Sequence, residues 1–274
     1  MKKDDFQKLS RNPKFISGIY NYCDRWCERC AFTARCMNFA MEQEENEQHG
    51  GPPADTEDFW ERFESSLALT KDMISDIAKE QGMTFDSAVL EEIAKEKEKQ
   101  RLEAKNHPLA QSAFGYGEMV NDWFKTGADA LHAKEEEILA QARLGVAKVN
   151  EEVASLTDAV EIIRWYQHQI YVKLMRGLDA DKKYKATSEF PKDSDGSAKV
   201  ALIAIDRSIA AWLRMSEFFS AQTDSILTML VHLDRIRRAA EKEFPDARSF
   251  VRPGFDTKES PEPGIPEPNP GDGV

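Results

Sequence analysis

The chain has 274 residues, with 37 Lys plus Arg against 49 Asp plus Glu, a formal net charge of −12, and 41% apolar and 31% charged residues. That length supports one large domain or two small ones with a real core. The acidity argues against broad, charge-driven attachment to nucleic acid or anionic lipid. No apolar run approaches the ~18 residues of a membrane span; the longest clean one is VALIAI, residues 200–205.

The amino end, MKKDDFQKLS, has positive charges with no apolar stretch behind them, which is not the pattern of a secretory signal. A cytoplasmic location is the expectation, and there a cysteine cluster more often holds metal than disulfides. All four cysteines lie in YCDRWCERCAFTARC, at positions 23, 27, 30 and 36. On a helix Cys23, Cys27 and Cys30 share a face. Cys36 does not join them, so a turn is expected near CAFTARC, with Thr33 capping a new helix and Cys36 in its first turn. A thiolate is favoured there by the positive end of the helix dipole. Arg25, Arg29 and Arg35 interleave the cysteines and fit charge compensation of an anionic thiolate group. Residues 1–36 carry eight Lys or Arg against four Asp or Glu, so this is the one region where nucleic-acid contact stays open. Tetrahedral zinc takes four thiolates, usually from two C-x2-C pairs, whereas compact thiolate groups are common around [4Fe–4S] clusters. The residues alone leave both metals open.

CERCAFTARCMNFAMEQE, residues 27–44, resembles the cysteine segment of the WhiB-like iron–sulfur proteins, in which C-x2-C-x5-C precedes an apolar, aromatic and Ala-containing helix. Iron–sulfur DNA glycosylases of the helix–hairpin–helix type share that spacing. The resemblance implies that Cys27, Cys30 and Cys36 are cluster ligands, with Cys23 as the fourth. The glycosylases' helix–hairpin–helix glycines and the WhiB-like Gly-Trp turn are missing, so neither family's DNA function is carried over. CDRWCERC also has the C-x3-C-x2-C spacing of radical S-adenosylmethionine enzymes. Arg29 stands where those place an aromatic residue, and the alternating strands of their barrel are absent from the pattern.

Residues 46–58 then read as an acidic, Gly/Pro-rich linker between a metal-binding segment, 1–45, and the rest. A helix follows from a cap at Thr56 to a stop at Gly82. EEIAKEKEKQRLEAKN completes a charged helical arm over 59–106. Between Pro53 and Pro245 only Pro108 and Pro191 occur, and apolar residues recur at three and four over 109–142, 158–178, from Ser197, and 223–244. Four such helices predict an antiparallel bundle over 107–250. SPEPGIPEPNPGDGV closes a Pro-rich tail, 251–274, whose composition predicts disorder.

Glu161, Arg164, His168 and Asp206 are candidates for a polar network in the bundle, able to bind a small anion or support an enzyme. Paired Glu-x-x-His motifs of di-iron bundles are missing from the sequence, and ion pairs that fix helix register are the simpler reading. DSDG, residues 193–196, lacks the later ligands of a calcium loop and reads as a cap for the helix from Ser197. The expectation is an all-α, cytoplasmic, non-enzymatic protein that binds a [4Fe–4S] cluster, or zinc as the alternative, and meets another protein through redox or docking contacts.

Overall fold

The computed structural model describes residues 3–83, 86–144, 149–180 and 192–256. Among them are nine α-helices and no β-strand: α1 (Lys3–Ser10), α2 (Met37–His49), α3 (Thr56–Glu80), α4 (Ser87–Asn106), α5 (Pro108–Thr126), α6 (Ala128–Arg143), α7 (Val149–Asp179), α8 (Asp193–Phe218) and α9 (Thr223–Glu243). None of these helices is long and apolar enough to cross a membrane. The chain forms two compact units, one of residues up to Ala94 together with the segment from Val251, the other Lys95–Phe250.

The second unit is the expected bundle. Each helix buries an apolar stripe: Leu109, Ala113, Tyr116, Val120 and Trp123 on α5; Ala159, Ile163, Tyr166, Ile170 and Leu174 on α7; Ala201, Ile205, Trp212 and Met215 on α8; Ile226, Met229, Leu233 and Ile236 on α9. Val160 and Leu230, expected on these stripes, are only partly buried, their places taken by Ala159 and Met229. Cross-helix pairs give the direction. Phe114 meets Tyr171, Arg164 lies over Phe124, and Trp123 donates to Ser225 while His232 meets Ser112, so α5 runs against both α7 and α9. Arg176 pairs with Asp193 and Arg207 donates to Tyr166, so α8 runs against α7. Helices α5, α7, α8 and α9 thus go up-down-up-down in cyclic order, the topology short connections favour. Across the diagonal, Trp212 Nε1 donates to Tyr116 Oη at 3.0 Å, and both side chains are fully buried. Burial pushes the Tyr116 phenol up to about 12 against the opposing pull of the Trp212 N–H.

Three boundaries differ from expectation. The helix predicted over 109–142 is broken into α5 and α6 at Gly127, where the Thr126 hydroxyl bonds back to the Asp122 carbonyl at 2.8 Å. Helix α8 starts at Asp193 instead of Ser197, because Ser194 to Ser197 are buried in its first turn. The N-cap of α3 is Asp55, whose carboxylate accepts from the Glu57 and Asp58 amides at 3.0 Å; Thr56 is the first helical residue.

In the first unit the expected linker is short and closed. Helix α2 runs to His49 and ends on Gly50 at φ 75°. Arg62 then grips Asp58 through two bonds of 2.8 and 2.7 Å and donates to the Gly51 carbonyl at 3.0 Å. The guanidinium holds the Asp58 carboxyl down to about 2. Part of the expected tail is ordered structure. Residues 251–256 are folded into the first unit, while 257–274 lie outside the described residues.

Candidate metal centre

Between α1 and α2 the chain advances by single turns. Three 3₁₀ turns, Ile19–Tyr22, Cys27–Arg29 and Thr33–Arg35, are closed by bonds such as Cys30 N–H to Cys27 O and Cys36 N–H to Thr33 O, both 3.1 Å. The helix expected to align Cys23, Cys27 and Cys30 does not form. Short 3₁₀ turns, each followed by an extended cysteine (Cys23, Cys30, Cys36), take its place. Nor does Thr33 cap a helix: it opens the last 3₁₀ turn, and α2 begins at Met37 with Cys36 as its N-cap residue. Cys36 therefore sits at the positive end of a 13-residue helix, as its N-cap residue and not within its first turn.

All four cysteines line one shallow recess of about 20 Å³; its apolar walls include Ile19, Trp26, Phe32, Phe39 and Phe255. The four are free thiols, each partly buried. The Cys27 thiol is pushed up to about 11, by burial first, then by Glu42 and by the other three cysteines. Cys30 is raised too, chiefly by burial, while the Phe32 N–H, 3.4 Å from its sulfur, pulls the other way. The Cys23 thiol donates to the Tyr20 carbonyl at 3.5 Å. Arg25, Arg29 and Arg35 are exposed, the groups acting on Cys27 and Cys30 being carboxylates and thiols. Arg29 lies over the Trp26 ring at 4.1 Å, and Arg25 adopts φ 59° beside the recess.

Among the described residues, no three His, Cys, Asp or Glu side chains converge closely enough to hold a metal ion. A single zinc bound by thiolates at 2.3 Å needs sulfurs about 3.8 Å apart, the edge of its tetrahedron. The donor chemistry is that of a thiolate-ligated centre: four cysteines line one recess, one sulfur accepts a backbone N–H, another lies at a helix start, and aromatic walls limit water.

The wall contributed by Phe255 has no signal in the cysteine motif. Phe255 meets Phe32 edge-on at 5.0 Å, and Arg252 bonds both oxygens of Asp256 while lying over the Phe255 ring. Gly254, at φ 78°, lets this loop approach: a Cβ there would stand 2.8 Å from Ile19 Cδ1 and 3.0 Å from Ile16 Cδ1. Gly254→Ala should therefore lower the opening free energy of residues 15–45 by about 1–3 kcal/mol, through backbone strain and overpacking. Hydrogen exchange on that segment measures it, and unchanged protection would remove Gly254 from this role.

Glu161, Arg164 and His168 lie exposed on the outer face of α7, away from the stripe that α7 buries. Arg164 stacks on Phe124 at 3.8 Å, and Asp206 pairs with Arg248 and Arg237, ties that fix register between α8 and its neighbours. Comparison with protein-family models, curated proteins and solved structures gives no match to the chain.

Proposed function

We propose that Cys23, Cys27, Cys30 and Cys36 hold a [4Fe–4S] cluster in a structural, redox-sensing or electron-carrying role. The observation that carries this reading is the single recess lined by all four cysteines of the chain. The preference for a cluster over zinc rests on the compact spacing of the cysteines and its WhiB-like form over residues 27–44. When bound, such a group supplies a one-electron centre whose potential depends on hydrogen bonds and burial around its sulfurs. The Phe32 amide supplies one such bond to Cys30, and the start of α2 stabilises negative charge on Cys36. Phe32, Phe39 and Phe255 restrict water, and the Tyr20 carbonyl must release the Cys23 proton before that thiolate can ligate. This chemistry suits a reducing cytoplasm and a protein partner for the electron or the docking step.

Anaerobic purification tests the reading. The expected product is brown, absorbs at ~400 nm as thiolate-ligated iron does, and carries iron and sulfide in the ratio of the cluster formula. A colourless anaerobic protein with one stoichiometric zinc overturns it.

A further inference from the structure

Helix α3 carries a second feature, independent of the cysteines. Trp60, Phe63, Leu67, Thr70, Ile74 and Ile77 follow one another at spacings of three, four, three, four and three, the a/d pattern of a coiled-coil seam. All six are exposed, the five apolar ones by 43–53% of their surface. Phe59 flanks the seam and forms an exposed aromatic cluster with Trp60 and Phe63. Together these apolar side chains offer on the order of 600 Å² of surface, the upper end of what a monomer normally displays in one patch.

We propose that α3 pairs with α3 of a second copy of this chain, antiparallel, about a two-fold axis between Ala68 and Leu69. The occupant follows from area and charge. Two such stripes bury on the order of 1,200 Å², where stable protein interfaces begin. In an antiparallel pair each a position meets a d position, so Trp60 packs on Ile77 of the other copy, Phe63 on Ile74 and Leu67 on Thr70, with no apolar position left over. The same register sets the e positions against each other and brings Glu64 of one helix beside Lys71 of the other, twice by symmetry. A parallel pair sets Phe59 beside Glu64 and Ser66 beside Lys71, gains no opposite-charge pair, and aligns the helix dipoles unfavourably.

Sedimentation equilibrium on the full chain tests this. The expected result is a dimer in the micromolar range, lost on L67E, which places carboxylates in both halves of the seam; circular dichroism should be unchanged because Leu67 is exposed in the free helix. E64K or K71E alone turns two attractive pairs into two repulsive ones and should weaken the dimer roughly five- to tenfold. The double variant E64K/K71E should restore it, an outcome a parallel pair does not give. A monomer at all concentrations, a dimer indifferent to L67E, or a double swap that fails to recover affinity overturns the proposal.

Discussion

If Cys23, Cys27, Cys30 and Cys36 hold the proposed cluster, replacing any one of them by Ala should abolish its stable loading and, with it, the order of residues 15–45. The magnitude follows from how little else holds this segment. Up to Cys36 its backbone is held by short 3₁₀ turns, and its buried apolar residues, Ile19, Tyr22 and Phe32, are few. A metal centre that forms only in the folded segment contributes its binding energy to folding, on the order of 10 kcal/mol or more for structural thiolate sites. Losing one of four ligands is therefore the largest perturbation available to this unit. Cys23→Ala is the most informative variant, because the WhiB-like spacing covers only the other three. The readouts are iron and sulfide content, absorption at ~400 nm, and hydrogen exchange over residues 15–45. The bundle should melt as before, since its core contains no cysteine. A Cys23→Ala protein that keeps full cluster occupancy would falsify the four-ligand assignment.

The same segment shows what a sequence can and cannot convey. Spacings of four and three at Cys23, Cys27 and Cys30 suggest one helical face, yet no apolar stripe runs beside them. Without a face to bury, the chain takes local i→i+3 bonds in place of a helix. That the thiols gather was legible from their density. That Phe255, more than 200 residues onward, supplies a wall was not, because a long-range contact leaves no local pattern. In the bundle the buried stripes were legible to within a residue, since a 3.6-residue period has one physical cause; Ala159 and Met229, one position from Val160 and Leu230, take the buried places. Gly127 was not legible as a break: a lone glycine is tolerated within a helix, and here the Thr126 hydroxyl helps the chain to turn. Exposure of the candidate polar residues had a sign in the sequence. Glu161, Arg164 and His168 share one face of α7, and the apolar stripe from Ala159 to Leu174 already assigns that face to solvent.

Trp212→Ala should be the most damaging single change in the bundle, by about 3–5 kcal/mol, the range for truncating a fully buried Trp. Trp212 packs edge-on against Trp123 at 5.0 Å and joins α8 to α5 across the diagonal by its bond to Tyr116. In a unit of this size such a loss lowers Tm by roughly 10 °C or more. Tyr116→Phe separates the polar tie from the volume. It leaves the Trp212 N–H without its acceptor and should cost about 1–3 kcal/mol at neutral pH. It should also change the alkaline limb. The Tyr116 phenol ionises at about 12 in the folded chain, above its ordinary 10.0, because burial disfavours the phenolate. A group raised in this way gives stability that is whole below pH 10.0 and drains as pH climbs towards 12. Urea denaturation between neutral pH and pH 11 should show wild-type stability falling above pH 10, with a shallower decline in Tyr116→Phe. Equal slopes in the two proteins would show that the phenol is neutral to folding across that range, and a Trp212→Ala bundle within about 1 kcal/mol of wild type would remove the diagonal from the core's stability.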